Sequence, residues 1–74
     1  MTIYKSQEEA ITNRKCKDRY IIIGESVSAH CCFSYSIIDT SKGVESYGHY
    51  YIGYVCETFE EPEALLIANS LNHR

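Results

Sequence analysis

The clearest pattern in the chain lies near its C-terminus, where apolar positions recur at the three- and four-residue intervals of a helix. The stripe consists of Ala64, Ile67, Ala68 and Leu71. Leu66 is expected to widen this stripe, whereas Leu65 is predicted to lie on the opposite side, facing solvent or a partner. We expect the stripe to cover a sheet that is built from the preceding part of the chain.

Polar residues mark both ends of this helix. Glu60, Glu61 and Glu63 crowd its first turn, where carboxylates interact favourably with the positive end of the helix dipole. Pro62 fits the same turn, because the N–H that it lacks has no helical partner there. Asn72 is predicted to end the helix, since asparagine tolerates the left-handed conformation of many helix ends.

Three upstream segments have the composition and alternation of strands. Tyr20–Ile23 contains three consecutive isoleucines and is closed by Gly24, after which a polar turn is expected. His30–Asp39 alternates between apolar and small polar residues. A loop over Thr40–Tyr47 precedes the third alternating segment, His49–Phe59. The three segments predict an antiparallel meander.

The last two predicted strands match best in one register. Placing Asp39 opposite Gly48 pairs every apolar position with another apolar position on a single face, and a slip of one residue destroys the match. The resulting pairs are Ile37–Tyr50, Tyr35–Ile52, Phe33–Tyr54 and Cys31–Cys56. We expect the C-terminal helix to cover this face, and the other face to be small and mildly polar.

The N-terminal segment adds a short edge strand over Thr2–Tyr4 and then a helix. Ser6 followed three residues later by Glu9 matches a capping box for a helix over about Gln7–Asn13. This helix is weak by itself because isolated short helices are marginal. Its candidate docking residues are Ala10 and Ile11.

The fold class predicted for residues 1–74 is therefore α+β in a single small domain. It consists of a three-stranded antiparallel meander, with a fourth strand if the N-terminal segment joins the sheet. The C-terminal helix packs on one face, and a weak N-terminal helix accompanies it. No repeat, low-complexity tract or linker divides the chain.

Charge and composition narrow the choice of partners. The net charge is −3, and from Gly43 onward five glutamates are balanced only by Arg74, which favours a partner with a basic surface over direct nucleic-acid binding. The seven tyrosines supply apolar area with a polar tip, as at many binding surfaces. The absence of a signal-peptide or membrane-span pattern, together with four cysteines, predicts free thiols in the cytoplasm.

The reactive side chains do not form a recognisable catalytic or metal-binding set. Cys31 and Cys32 are adjacent on a strand, so they point to opposite faces and lack the spacing of a zinc knuckle. His30 lies near Cys32 without a third group to orient it. No Ser-His-Asp arrangement or phosphate-binding glycine loop is present. We therefore predict neither an enzyme nor a metal or cofactor site.

The C-terminal segment also carries a resemblance. Val55–Phe59 followed by Glu60–Asn72 resembles an ending common in small bacteriophage-encoded proteins: a strand, Cys-Glu, an aromatic residue, an acidic turn and an apolar helix that ends in Leu-Asn. In such endings the position of Leu65 is usually charged, and this chain departs from them there. The resemblance covers about a quarter of the chain. It implies a phage accessory protein of the anti-CRISPR or other anti-defence type, acting in the cytoplasm of the host cell.

Two functions from different classes remain open. The first is a non-enzymatic inhibitor that binds and blocks a host defence protein or complex through a basic surface on it. Its predicted contact residues are Tyr47, His49, Tyr51, Glu57, Glu60 and Glu61. The second is an oligomeric sponge for a small ligand or nucleotide signal, built around the basic segment Arg14–Arg19 with Tyr20. The acidic balance favours the inhibitor, and a homodimer is compatible with both functions.

Overall fold

A computed structural model describes residues 3–13, 18–27, 32–47 and 50–73. Their elements are the strands β1 (Ile3–Tyr4), β2 (Tyr20–Val27), β3 (Cys32–Asp39), β4 (Ser46–Tyr47), β5 (Tyr50–Tyr51) and β6 (Tyr54–Thr58), the helices α1 (Gln7–Asn13) and α2 (Glu61–Asn72), and a 3-10 turn over Thr40–Lys42. Within these residues, four strands form one sheet in the order β1–β2–β3–β6, and β4 and β5 form a separate hairpin. The α+β fold is as predicted. The added strand β1 runs parallel to β2, and the other neighbours in the sheet are antiparallel.

A helix packs on each side of the sheet. We call the side covered by α2 the α2 face; Ala64 and Ala68 of the helix are completely buried there against Ile22 and Ile37. The opposite side, the α1 face, has its own apolar cluster around Ala10 of α1. The members of this cluster are Tyr4, Ala10, Ile21, Ile23 and Ile38. The α1 face is therefore more apolar than the small, mildly polar face that the sequence predicted.

Consecutive isoleucines explain how so short a chain builds two cores. Among the described residues, the largest fully buried side chains are Ile22, Ile23, Ile37 and Ile38. Neighbouring residues on a strand point to opposite faces. Each adjacent pair thus supplies one side chain to each face, and β2 and β3 become the centre of the domain.

Helix α1 has the bounds that the sequence predicted, and its capping differs in one detail. The hydroxyl of Ser6 accepts the Glu9 N–H at 3.1 Å, as in a capping box. The Glu9 carboxylate reaches back to the N–H of Lys5 at 2.9 Å. Ala10 is completely buried, whereas Ile11 is 55% exposed, so Ala10 alone of the two predicted docking residues enters the core.

Helix α2 has Pro62 in its first turn and ends at Asn72, as predicted, while Glu60 precedes the helix as its N-cap. The prediction was wrong for two neighbouring leucines. Leu65 packs against the cluster beneath the helix, whereas Leu66 is 67% exposed. At about 100° of rotation per residue, Leu66 stands nearly opposite the buried stripe and Leu65 stands at its flank. The helical period itself therefore accounts for the correction.

Strand β2 continues past Gly24 to Val27, through residues that were expected to form a turn. Gly24 lies opposite Tyr35, whose ring centroid is 5.1 Å from that of Phe33. A Cβ atom at Gly24 would come within 2.7 Å of Cε1 of Phe33. Glycine at this position makes room for the two rings within the strand and does not end it.

The predicted register between the last two strands is wrong. Ile37 lies opposite Cys56, six residues further along the chain than its predicted partner Tyr50. The observed pairs are Tyr35–Thr58, Ser36–Glu57, Ile37–Cys56 and Ile38–Tyr54. Val55 is the extra residue of a β-bulge between the last two pairs. Cys56 therefore lies opposite Ile37 and not, as was predicted, opposite Cys31. Cys31 itself lies outside the described residues.

The bulge also changes which side chains share a face. Cys56 remains on the α2 face with Tyr35 and Ile37, so α2 covers these residues as predicted. Tyr54 lies opposite Ile38 and therefore belongs to the α1 face instead. Phe33, which was expected in the core, is exposed.

A close backbone approach divides the predicted third strand in two. The Gly53 carbonyl accepts the Asp39 N–H at 2.7 Å, and a Cβ atom at Gly53 would collide with the Asp39 carbonyl. Residues before Gly53 pair within the β4–β5 hairpin, where the Ile52 N–H donates to the Glu45 carbonyl at 2.9 Å. Part of the predicted loop over Thr40–Tyr47 is consequently strand β4.

Candidate protein-binding surface

The α1 face changes from apolar to polar along the strands. Residues that lie directly opposite one another on paired strands share a face. The successive rows across β2, β3 and β6 are Ile21–Ile38, Ile23–Ser36–Glu57 and Glu25–Ser34. The apolar cluster around Ala10 occupies the first end, while Glu25 and Glu57 at the second end are exposed.

Two hydroxyl groups hold these carboxylates in place. The phenol of Tyr51 donates to Oε1 of Glu25 at 2.8 Å. The hydroxyl of Ser34 donates to Oε2 of Glu57 at 2.6 Å. We call Glu25, Ser34, Tyr51 and Glu57 the polar patch. An ionised carboxylate has about four acceptor positions, so each glutamate can accept further hydrogen bonds from a partner.

Both hydroxyl groups of the polar patch donate hydrogen bonds to carboxylates. Burial, aided by the hydrogen bond to Glu25 and its negative charge, raises the pKa of Tyr51 far above the usual tyrosine range. Its ring packs against the apolar cluster of the α1 face, which holds the phenol in position. Ser34 is buried, so its hydroxyl is held in place by the surrounding strands. The arrangement suits recognition of cationic groups by two held carboxylates.

The structure divides the predicted contact residues among several places. Tyr51 and Glu57 belong to the polar patch. Glu60 and Glu61 are exposed at the start of α2, and Glu60 makes no side-chain capping bond. The backbone of Tyr47 pairs with Tyr50 in the β4–β5 hairpin. His49 lies outside the described residues.

Sequence reasoning missed Glu25 and Ser34. Glu25 was assigned to a turn, because Gly24 was taken as the end of its strand. Had β2 been extended by one alternation, Glu25 would have fallen on the same face as Ile21 and Ile23. The alternation of β3 puts Ser34 on the side opposite Tyr35 and Ile37. Its hydrogen-bond partner Glu57 could be identified only from the observed register between β3 and β6.

Arg19, from the basic segment, is occupied within the fold. Its Nε and Nη2 atoms donate to the two carboxylate oxygens of Asp39, each at 3.0 Å, and its guanidinium lies 5.3 Å from the centre of the Tyr20 ring. The Arg19 guanidinium and the Ser41 hydroxyl hold the pKa of Asp39 well below its usual range. The remaining residues of the segment, 14–17, lie outside the described residues.

The second feature of this surface is an edge strand. In the described part of the chain, β6 pairs with β3 on one side and with no strand on the other. We call residues 52–59 the β6 edge. Its exposed apolar side chains are Ile52, Tyr54, Val55 and Phe59. These exposed side chains lie next to the polar patch along the same strand.

The described residues show neither a metal-binding cluster nor a membrane-spanning helix. No group of three or more His, Cys, Asp and Glu side chains within residues 3–13, 18–27, 32–47 and 50–73 is placed to hold a metal ion. Cys56 is a free, half-buried thiol, and burial together with the charge of Glu63 raises its pKa. Across the same ranges, no helix has the length and apolar character to cross a bilayer.

The fold is a small α+β domain whose four-stranded sheet carries a helix on each side. Comparisons with family models, with curated proteins and with solved structures find no match for this chain. We therefore base the proposal for a function on the chemistry of the polar patch and its surroundings.

Proposed function

We propose that this chain is a non-enzymatic inhibitor that binds a host protein and covers a basic surface on it. The observation that carries the proposal is the polar patch, in which two exposed carboxylates are each held by a hydroxyl group. Carboxylates fixed in this way accept charge-assisted hydrogen bonds from arginine or lysine with little further ordering cost.

Apolar surface beside the polar patch supports the same proposal. Tyr54 shares the α1 face with Glu57, and both are exposed on β6. Aromatic side chains near the centre of an interface commonly supply much of its binding energy, whereas charges at the rim mainly speed encounter and set orientation. A basic partner would thus be attracted by Glu25 and Glu57 and anchored beside them.

The cellular setting is a separate part of the proposal. The resemblance of Val55–Asn72 to the endings of small phage proteins supports a host defence protein or complex as the target, within the bacterial cytoplasm. The polar patch supports only a basic protein surface. The two parts can therefore be tested one after the other.

The nucleotide-sponge alternative receives less support from the structure. It requires the basic residues to be available to a ligand, and Arg19 is paired with Asp39 through two hydrogen bonds. The polar patch is acidic and would repel a phosphate. Native mass spectrometry of protein taken directly from a cell lysate tests this alternative, because a retained nucleotide mass would support it.

A pair of matched double variants tests the inhibitor proposal. Glu25→Gln with Glu57→Gln removes the two charges of the polar patch while leaving an acceptor oxygen for Tyr51 and for Ser34. Glu60→Gln with Glu61→Gln removes the same charge at the start of α2. Each tagged protein is used to capture partners from a lysate of the host, and captured proteins are quantified by mass spectrometry.

We expect the polar-patch variant to lose a basic partner that the wild type and the helix variant retain. Once that partner is purified, its affinity for the polar-patch variant should fall by about tenfold or more, and its salt dependence should weaken. Circular dichroism checks that both variants are folded. Equal capture by all three proteins would contradict the proposed surface. Equal loss of the partner by both variants would show that binding depends on the net charge of the protein and not on the position of these carboxylates.

A further inference from the structure

We propose that the β4–β5 hairpin is an arm that opens from the sheet as a unit, with the contact between Tyr51 and Glu25 as its latch. The arm is defined by the described residues 44–47 and 50–52. Its opening would release Glu25 and uncover part of the apolar cluster on the α1 face. The opening itself does not depend on the function proposed above, whereas its effect on a partner rests on that function.

The first argument is that the arm stands apart from the main sheet. Strands β4 and β5 pair with each other in a sheet of their own. The Ile52 N–H adds a further bond within the hairpin, to the Glu45 carbonyl at 2.9 Å. A two-stranded hairpin by itself is only marginally stable in water. The arm therefore keeps its form through its packing against the rest of the domain.

The second argument is that both ends of the arm meet at Asp39. Before the arm, the Asp39 carboxylate accepts the N–H and the hydroxyl of Ser41 at 3.0 and 2.7 Å. After the arm, the Asp39 N–H donates to the Gly53 carbonyl at 2.7 Å. Gly43, at the start of the arm, has φ 104°, a conformation that glycine adopts without the strain of a side chain. Two ends fixed at one place form the base of a hinge.

The third argument is the way in which the arm reaches the sheet beyond this base. Val44 and the Tyr51 ring are half-buried and pack against the apolar cluster of the α1 face. The Tyr51 phenol also donates to Oε1 of Glu25 at 2.8 Å. Burial raises the pKa of Tyr51, so the phenol keeps the proton that it donates. A hydrogen bond to a charged acceptor is stronger than one between neutral groups, which is why this contact is assigned as the latch.

The latch connects the arm with the polar patch. While the arm is closed, Glu25 is held and has acceptor positions left for a cation. When the arm opens, Glu25 loses its donor, and Val44 and Tyr51 leave the apolar cluster. Where the proposed inhibitor function holds, a basic partner that prefers the held carboxylate stabilises the closed arm. The closed arm then strengthens partner binding by the same factor.

Amide hydrogen exchange of the whole chain, followed by NMR spectroscopy, measures the opening without a partner. In the wild type we expect the Ile52 amide to be protected but to exchange faster than the hydrogen-bonded amides of β2 and β3. Its exchange should depend little on urea, because opening the arm exposes much less surface than global unfolding does. An Ile52 amide without protection, or one with the rate and urea dependence of β2 and β3, would overturn the proposal.

A matched pair of tyrosine variants tests the latch. Tyr51→Phe removes the hydroxyl and keeps the ring that packs on the cluster, so the Ile52 amide should exchange about fivefold faster or more. Tyr35→Phe removes the same group on the α2 face, away from the arm. It should leave the Ile52 rate within about twofold of the wild type. An unchanged rate in Tyr51→Phe, or equal acceleration in both variants, would overturn the latch.

Removal of the acceptor completes the test. Glu25→Ala should accelerate exchange of the Ile52 amide by a similar factor. The double variant with Tyr51→Phe should exchange no faster than the faster single variant, because both substitutions remove the same contact. Multiplying effects would contradict the latch. These measurements contain no host protein. If they fail while Glu25→Gln with Glu57→Gln still loses a basic partner, the inhibitor function stands without the arm.

Discussion

The side-chain amide of Asn72 binds both backbone groups of Tyr20. Its Oδ1 atom accepts the Tyr20 N–H at 2.9 Å, and its Nδ2 atom donates to the Tyr20 carbonyl at 3.0 Å. The last residue of α2 thereby completes the hydrogen bonding of the first residue of β2, much as a neighbouring strand would. Asn72 was expected to end the helix through a left-handed conformation, but His73 at the cap has φ −103°, and the amide contact is what distinguishes the position.

We predict that Asn72→Ala lowers the free energy of unfolding by about 1–3 kcal/mol. The substitution leaves the N–H and C=O of Tyr20 without their partner while removing little apolar contact. Asn69→Ala, on an exposed position of the same helix, is the matched control and should change the free energy of unfolding by less than about 0.5 kcal/mol. Urea denaturation measures both. Equal effects would show that the contact with Tyr20 is not a significant part of stability.

The ion pair between Arg19 and Asp39 predicts a loss of stability in acid. The pKa of Asp39 in the folded chain lies below its ordinary value of 3.8. A carboxyl group with a lowered folded pKa contributes stability that is complete above the ordinary value and is lost as the pH falls towards the folded value. The advantage of the wild type over Asp39→Asn should therefore be constant near neutral pH and shrink below a pH of about 4.

Urea denaturation at a series of pH values measures this difference. Arg19→Gln provides the partner control, because it removes the cation and should reduce the acid dependence that Asp39 contributes. The hydrogen bonds from Ser41 to Asp39 remain in that variant, so its loss of pH dependence should be partial. A constant difference between wild type and Asp39→Asn down to the most acidic folded conditions would contradict the assignment.

The two neighbouring leucines of α2 should respond oppositely to the same substitution. Leu65→Asp places a charge against the apolar cluster beneath the helix and should cost more than about 2 kcal/mol. Leu66→Asp places it on the exposed side and should cost less than about 0.5 kcal/mol. Thermal melts followed by circular dichroism compare them. A larger loss for Leu66→Asp would mean that α2 is rotated on the sheet.

Two glycines should also differ in their tolerance of alanine. A Cβ atom at Gly53 meets the backbone of Asp39, which cannot move without breaking the end of β3. A Cβ atom at Gly24 meets the Phe33 ring, which is exposed and can rotate away. We expect Gly53→Ala to cost more than about 3 kcal/mol and Gly24→Ala about 1 kcal/mol. Chemical denaturation of both variants measures the difference, and equal costs would count against the close approach of Gly53 to Asp39.

The elements that the sequence predicted well depend on local signals. The period of Ala64, Ala68 and their neighbours requires a helix wherever its apolar side can be covered. Ser6 and Glu9 mark the start of α1 through hydrogen bonds that span three or four residues. The consecutive isoleucines of β2 and the alternation in β3 indicate strands, although the burial of both of their faces was not predicted. The exposure of Leu66 also follows from the helical period. Its position around the helix axis was misjudged, although the sequence contains the information needed to place it.

The polar patch could be predicted only in part. Tyr51 and Glu57 were among the predicted contact residues, and the structure brings both to the α1 face. Their partners Glu25 and Ser34 depended on the length of β2 and on the pairing of β3 with β6. The hydrogen bonds from Tyr51 to Glu25 and from Ser34 to Glu57 both join residues that are more than twenty positions apart in the chain.

Local periodicity and capping in the sequence determined the two helices, the central strands and the α+β class, because these properties involve neighbours along the chain. Only the tertiary structure decided the pairing of β6, since tyrosines alternate equally well in several registers and tolerate both burial and exposure. What selects the observed register is the close approach of Gly53 to Asp39 and the bulge at Val55. These are contacts between backbones, and they cannot be predicted from the pattern of apolar and polar side chains.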